Sequence, residues 1–288
     1  MKIIKNINLA PYTAFGIGGL ADYFCRVKTK KEFVKAIKWA KDKKLDYFIL
    51  GNGTNILISD KGFRGLAIKV QSSSASWRIK VQSSKITAEA GLSLAELLRF
   101  SIKHSLSGLE FLAGIPGTVG GAVAGNAGIK KGSISEVLEK VIVFGEDGLI
   151  YDLNNKECQF DYRKSRFQKT KEIILEVVFN LKKQEPAIIK QKINQILKQR
   201  KNQPEGKSVG SIFKNPGSKP AGYLIQEAGL KGKKIGGAMI SKKHANWIIN
   251  FSNAKAQDVL KLIRLAKMEV KKKFGIEMKE EIKLMGEF

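Results

Sequence analysis

Two glycine-rich loops and one serine–lysine pair are the first residues whose types and spacing suggest chemistry. Gly51-Asn52-Gly53-Thr54-Asn55 follows the apolar run 47–50, and Gly114-Ile115-Pro116-Gly117-Thr118-Val119-Gly120-Gly121 follows Phe111-Leu112-Ala113. Glycine lets backbone N–H groups approach a ligand closely and form anion-binding nests. Two separated nests suit a diphosphate with a group on either side, whereas one loop alone is equally an ordinary tight connection. Neither is a dinucleotide fingerprint, because the third glycine is missing after Gly51 and Gly53. Gly206-Lys207-Ser208 ends like a phosphate-binding loop, but Lys201 stands where that motif requires its first glycine. Ser211-Ile212-Phe213-Lys214 has the S-x-x-K spacing of acyl-serine enzymes. The Asn215-Pro216-Gly217 that follows argues against the helical turn this pairing needs, and no K-T-G occurs. Cys25, Cys158, His104 and His244 have no metal-ligand spacing, which excludes a structural zinc site, and two cysteines make no disulfide framework. His104 sits at an expected helix end, where a cation suits the dipole. His244 reads as a packing residue.

The elements that must position these loops follow from hydrophobic periodicity. Residues 29–44 read as a helix with Phe33, Ile37 and Ala40 on one stripe, and 47–50 as a short buried strand. Runs 65–70 and 77–90 alternate as strands do. Ser93 and Glu96 form a capping box that opens a helix with Leu94, Leu97, Leu98 and Ile102 inward. A glycine-rich loop system over 108–128 is followed by strands at 136–144, 149–153 and 172–181. A helix over 186–200 is expected to bury Ile188, Ile189, Ile193 and Ile196/Leu197. Short strands at 238–241 and 246–251 precede a helix at 255–273 with Val259, Leu260, Ile263 and Ala266 facing in, and a last strand lies at 281–285. The pattern is α+β in three segments: 1–70, 71–184 and 185–288.

The 288 residues, 43% of them hydrophobic and 27% charged, describe a globular chain large enough for about two domains. Lys and Arg outnumber Asp and Glu by 52 to 26, a net charge of +26 that favours anionic partners. Solvated surface lysines are the bland alternative. The shorter stretch 182–288 holds most of the excess, which points to an anion there. Residues 111–129 are uncharged and long enough to span a bilayer. Their six glycines, Pro116 and Asn126 argue instead for loops. No apolar signal core opens the chain, and a cytoplasmic protein is expected.

Several segments in order carry a resemblance: YTAFGIGGLADYF near the start, LGNGTNILISD at 50–60, FLAGIPGTVGGAVAGNAG at 111–128, YRKSRF at 162–167 and GSIFKNP at 210–216. AGYLIQEAGLKGKKIGGAMISKKHANWIIN at 221–250 and EEIKLMGEF at the end complete the series. Together they resemble the UDP-N-acetylenolpyruvoylglucosamine reductase family. Only residues 168–171 separate YRKSRF from the next apolar strand, which is similar to the shorter type II members that lack a tyrosine-bearing loop.

The resemblance implies a two-part FAD-binding region of the PCMH/vanillyl-alcohol-oxidase type, in segments 1–70 and 71–184, and a C-terminal α+β substrate-binding domain at 185–288. It implies non-covalent FAD, NADPH as co-substrate, and UDP-N-acetylglucosamine enolpyruvate as the substrate reduced to UDP-N-acetylmuramate. Three positions match the family's catalytic residues: Arg163 to polarise the substrate carboxylate, Ser211 to donate the proton, and Glu281 to stabilise the enol form. The FAD contacts carried over are Gly51, Asn52, Gly53, Thr54 and Asn55, then Gly114, Pro116, Gly117, Thr118, Gly121 and Asn126, with Arg200 as a further candidate. Lys214 and Asn215 resemble positions near the UDP moiety. A cytoplasmic monomer is implied, without a nucleic-acid or membrane partner. Two other readings stand beside it: another flavin oxidoreductase of the same fold, and a nucleic-acid-binding protein prompted by the charge.

Overall fold

A computed structural model describes residues 1–70, 79–217 and 219–288. The chain forms two compact units, each assembled from separated stretches. Unit 1 comprises Met1–Arg26, Lys35–Lys69 and Asn202–Phe288, and unit 2 comprises Val27–Val34 and Val70–Lys201. The compact units thus group the chain differently from segments 1–70, 71–184 and 185–288. The outer two share unit 1, and the helix Pro186–Arg200 belongs to unit 2.

Unit 1 holds a four-stranded sheet in the order Ile3–Asn8, Leu20–Val27, Phe63–Val70, Tyr47–Leu50. Its outer pairs are antiparallel, Ile3–Asn8 with Leu20–Val27, and parallel, Tyr47–Leu50 with Phe63–Val70. Leu9, Ala21, Phe24, Leu50, Ile58 and Ala67 pack beneath it. The reason the chain's two outer stretches belong together is a second core. Phe15, Ile17 and Leu57 from the first are buried with Ile212, Phe213, Leu224, Ile240, Val259, Ile263 and Met278 from the last. The helix Ala256–Phe274 contributes the expected stripe of Val259, Leu260, Ile263 and Ala266. Its C-terminus is closed by Gly275 at φ 70, whose N–H bonds to the Lys271 carbonyl, a conformation glycine adopts without penalty.

Unit 2 holds a five-stranded antiparallel sheet ordered Ile150–Asn154, Leu138–Phe144, Ile173–Asn180, Lys85–Glu89, Ile79–Gln82. Its core includes Ile86, Leu97, Phe111, Val119, Val141, Val177 and Phe179. The capping box is present: Ser93 Oγ accepts from the Glu96 N–H at 3.1 Å, and Glu96 accepts from the Ser93 N–H at 3.3 Å.

Several local expectations are corrected. The run 77–90 is a hairpin rather than one strand, with Ser83 at φ 56 turning the chain; its first two residues, 77 and 78, lie outside the described residues. The stretch 108–128 is not all loop. It contains a short 3-10 turn, Glu110–Leu112, and a helix, Val119–Ala124. Gly120 serves the packing of that helix, since a Cβ there would lie 2.8 Å from the Ala90 Cβ. On Pro186–Arg200 the buried stripe is only Ile189, Ile193 and Ile196. Ile188 and Leu197 lie off it and are 37% and 41% exposed. The strands Ile3–Asn8 and Leu20–Val27 and the helix Ala221–Glu227 carry no periodicity strong enough to have been expected. No described helix is long and apolar enough to cross a membrane.

The N-terminus of Ala256–Phe274 is capped from far away in sequence. Asp60 Oδ1 accepts from the Ala256 N–H at 2.8 Å and Oδ2 from the Gln257 N–H at 3.1 Å. Removing a capping side chain costs about 1 kcal/mol. Asp60→Ala is therefore expected to lower Tm by about 2–4 °C in a thermal melt while leaving flavin content unchanged. A melt that does not move would show that solvent satisfies these N–H groups equally well.

Candidate active site

In unit 1, Ser211 and Glu281 lie on adjoining backbone segments. The Glu281 N–H donates to the Ile212 carbonyl at 2.8 Å, and the Lys214 N–H to the Lys279 carbonyl at 2.9 Å. On its other side Ser211 forms an antiparallel bridge with Trp247. Both candidate side chains are half-buried. The neighbouring Glu280 is committed to Lys267 at 2.8 Å. Lys214 is half-buried. The exposed Asn215 accepts the Ala221 N–H through Oδ1 at 3.0 Å, so it also fixes the start of Ala221–Glu227.

The first glycine loop is tied to this pair. Asn55 donates from Nδ2 to the Glu281 carbonyl at 3.2 Å, and its own carbonyl accepts from the Lys283 N–H at 3.0 Å. Ile56–Ile58 then pairs in parallel with Lys283–Met285. Gly53, at φ 63, is buried where a Cβ would meet the Tyr12 carbonyl oxygen at 2.3 Å, so only glycine fits. Its carbonyl accepts from the Ala14 N–H at 2.9 Å. Asn52 is exposed and Thr54 half-buried at the loop surface. Lys69 donates from Nζ to the Gly51 carbonyl at 2.7 Å. Burial, with Arg26 adding to it, holds this ammonium below its ordinary pKa. Sequence reasoning missed Lys69, whose partner is a backbone carbonyl 18 positions away.

In unit 2, Arg163 sits in a tight turn closed by mutual backbone bonds of Asp161 and Lys164. At φ 53 it occupies the left-handed region, where a non-glycine residue is strained, and such strain clusters at functional sites. Its guanidinium donates to the carbonyls of Asn126 at 3.3 Å and Gly128 at 2.6 Å. The other cations of the motif are spoken for. Lys164 pairs with Asp161 at 2.9 Å, and Arg166 makes a two-pronged pair with Glu172 at 2.9 and 2.8 Å. Burial tends to raise the Glu172 carboxyl, but hydrogen bonds from Tyr151, Thr170 and Arg166 outweigh it and hold the pKa down. The same Glu172 bond pushes the Tyr151 hydroxyl up to about 12.

The second glycine loop also lies in unit 2. Gly114, Pro116 and Gly121 are exposed, Gly117 is half-buried and Thr118 buried. Thr118 Oγ1 accepts from the Gly121 N–H at 3.3 Å, while the N–H groups of Val119 and Gly120 bond to the carbonyls of Leu92 and Ala90. Protein acceptors thus occupy the start of Val119–Ala124, while Gly114 and Pro116 before it are at the surface. Asn126 is buried, with its amide spent on the Asp161 carbonyl and the Ser135 N–H.

Arg200 tests the fit to FAD. It lies against Gly114, where an added Cβ would come 3.0 Å from its Nε. Among the described residues that buried Nε has no hydrogen-bond partner, and burial holds the guanidinium below its ordinary pKa. A buried donor under an exposed glycine turn fits the diphosphate of FAD. Among the described residues no group of His, Cys, Asp and Glu could hold a metal ion.

Residues 21–154 match the family model of an FAD-binding domain. A crystal structure of 6-hydroxy-D-nicotine oxidase from Arthrobacter nicotinovorans shares the fold at 15% identity and a TM-score of 0.50, over 63% of this chain and 42% of that one. The chain is thus an α+β protein of the PCMH/vanillyl-alcohol-oxidase flavoprotein class. Residues 202–285 match the C-terminal domain model of UDP-N-acetylenolpyruvoylglucosamine reductase. The reductase of Caldanaerobacter subterraneus subsp. tengcongensis is 42% identical, over 99% of this chain and 94% of that protein. That of Caldicellulosiruptor bescii is 42% identical over 100% and 92%. The crystal structure of the Thermus caldophilus enzyme aligns at 35% identity with a TM-score of 0.85, over 99% of this chain and 100% of that one. The chain belongs to the UDP-N-acetylenolpyruvoylglucosamine reductase family.

Covalent flavin attachment through sulfur has poor candidates here. Cys25 and Cys158 are both buried, and burial pushes the Cys158 thiol up to about 11. Acid precipitation should therefore leave the yellow colour in the supernatant, and a washed pellet that stays yellow would refute it. Arg200→Met keeps the aliphatic stem and removes the charged donors. Hydrogen bonds to charged groups contribute about 1.5–3 kcal/mol, so the FAD Kd, measured by titrating apoprotein, should rise roughly 10- to 100-fold. An unchanged Kd would remove Arg200 from the cofactor site.

Proposed function

We infer that the chain reduces UDP-N-acetylglucosamine enolpyruvate to UDP-N-acetylmuramate, with NADPH as reductant and FAD as bound cofactor, in peptidoglycan precursor synthesis. The observation that carries the assignment of roles is the joining of the Ser211 and Glu281 segments by the Glu281 N–H to Ile212 carbonyl bond, with Asn55 of the first glycine loop on the same backbone. Segments 1–70 and 71–184 bind the cofactor, with Arg200 added to them, and the rest of 185–288 binds the substrate. The reaction belongs to the cytoplasm and serves cell shape and division through the wall, and the chain acts as a monomer.

When bound, FAD supplies hydride, taken from NADPH, for the methylene carbon of the enolpyruvyl ether. Hydride addition to an alkene beside a carboxylate builds enolate charge, which needs an electron sink and an acid. Arg163 is the sink. Two of its donors are already anchored on carbonyls, so the guanidinium is held in place before the carboxylate arrives. Ser211 delivers its hydroxyl proton to the carbon next to the carboxylate. A hydroxyl is a weak acid, but an enolate carbon is basic enough when the geometry is set beforehand. Glu281 shares a proton with the enol form and so lowers the charge that accumulates. Hydride and proton together saturate the double bond, and the serine regains a proton from solvent. Asn52, Thr54, Pro116, Gly117 and Arg200 hold the cofactor from exposed or ligand-facing positions. Lys214 and Asn215 hold the nucleotide end of the substrate.

Gly53, Thr118 and Asn126 contribute by shaping their loops, which is what their burial and protein hydrogen bonds support. The +26 charge aids capture of two polyanionic substrates, an effect that salt screens.

Ser211→Ala removes the hydroxyl and little volume. Flavin bleaching by NADPH should continue at the normal rate, because it needs no proton from this residue. Flavin reoxidation by the enolpyruvyl substrate should fall by about 10²–10⁴-fold, the usual contribution of general acid catalysis. Ser211→Cys, which keeps a transferable proton, should recover part of the loss. Stopped-flow absorbance on each half-reaction decides the matter, and an equal slowing of both halves would make Ser211 structural.

A further inference from the structure

The residue after Ala245 is buried, polar and unused by the chemistry above. Asn246 is 3% exposed and lies beside Ile212 and Phe213, which are 1% and 2% exposed. Its Nδ2 donates to the Phe213 carbonyl at 2.8 Å, its Oδ1 accepts from the Phe213 N–H at 2.9 Å, and its backbone carbonyl accepts from the Ile212 N–H at 2.8 Å. One side chain thus satisfies both backbone groups of a single residue, as an adjacent strand would do. Only one orientation of the amide makes both bonds, because the carbonyl needs a donor and the N–H an acceptor.

The segment it holds has no regular ladder. Ser211 has a lone bridge to Trp247, and Phe213 a lone bridge to Glu280. On one side the segment is bonded to residues 279–281, and on the other Asn246 supplies three hydrogen bonds. Without Asn246 the buried N–H and C=O of Phe213 would have no strand to turn to, and a buried backbone group left unpaired is costly. Asn246 is itself fixed, since its N–H donates to His244 Nδ1 at 3.3 Å and the Trp247 N–H to the His244 carbonyl at 3.0 Å.

We propose that Asn246 is a positioning residue for Ser211: its amide sets the register in which the serine stands beside the Glu281 segment. The proposal rests on the reading that Ser211 donates the proton. Asn246 touches Phe213 and Ile212 and acts on the reaction only through the backbone. A side chain confined to stability would weaken the whole unit, whereas one that sets a register alters a single step.

The test uses the flavin-loaded protein with Asn246→Ala and Asn246→Asp. Aspartate keeps the acceptor for the Phe213 N–H and places an oxygen against its carbonyl, and it carries the test if alanine does not fold. Amide hydrogen exchange should accelerate over 211–214 and 279–281 and stay unchanged elsewhere. Bleaching by NADPH should keep its rate, while reoxidation by the enolpyruvyl substrate should slow roughly 10²-fold, the cost of a misplacement of about 1 Å. In a double-mutant cycle Asn246→Ala should add little to Ser211→Ala, because the group it positions is gone. Fully additive losses, equal slowing of both half-reactions, or exchange that rises throughout unit 1 would each overturn the proposal. So would failure of both variants to fold, which would make Asn246 a residue of stability alone. Variants as fast as the unaltered protein sink the Asn246 assignment only. Failure of the unaltered protein to be reoxidised by the substrate removes the functional reading, and the proposal with it.

Discussion

The strand Lys283–Met285 lies parallel to Ile56–Ile58, and Asn55 grips the backbone at the Glu281 carbonyl and the Lys283 N–H. This pairing joins residues 226 positions apart. The first glycine loop is thereby part of the same framework as the Glu281 segment. The remaining bonds of unit 1 extend the arrangement: Glu281 to Ile212, Asn246 to Phe213, and Asp60 to the start of Ala256–Phe274. Each ties together residues distant in sequence, and the segments it joins are backed by the core shared between the outer stretches of the chain.

Unit 2 solves a comparable problem with charge. Arg163, Lys164 and Arg166 stand within four positions, and each has a different environment. Arg166 is locked by Glu172, whose carboxylate is also bound by Tyr151 and Thr170. Ser165 and Gln168 donate to the Ala124 carbonyl, and Asn126 donates to that of Asp161. The turn is thus sewn to the far end of the glycine-rich helix, and this stitching is what can hold Arg163 in a backbone conformation that costs of order 1–3 kcal/mol.

Much of the fold could be read where one period or one cap dominates. Ser93 and Glu96 announced their helix, and Val259, Leu260, Ile263 and Ala266 announced another, because side chains alone set those patterns. The hairpin at 79–89 was missed because Ser83-Ser84 is a weaker turn signal than a glycine. The division into units could not be read from composition, since it depends on which distant stretches share a core. At the site, the glycine loops and Ser211 stood out by residue type. The resemblance picks out Glu281 over Glu280, while the ion pair of Glu280 with Lys267 could be seen only in the structure. Asn246 and Lys69 carry no local signal of their bonds, because their partners are backbone atoms far along the chain.

Unit 1 is interrupted by nearly all of unit 2, and that has a consequence for how the protein is made. Translation proceeds at roughly 5–20 residues per second. Ile56–Ile58 therefore leaves the ribosome roughly 10–45 s before the strand it pairs with. Through that interval Phe15, Ile17 and Leu57 have no second half of their core, while Val70–Lys201 already holds nearly all of its own unit. The nascent chain thus carries a finished unit downstream of an unfinished one, with an apolar surface and an open strand edge exposed. The apolar surface that waits longest for its partner thus lies at the beginning of the chain and not at its middle.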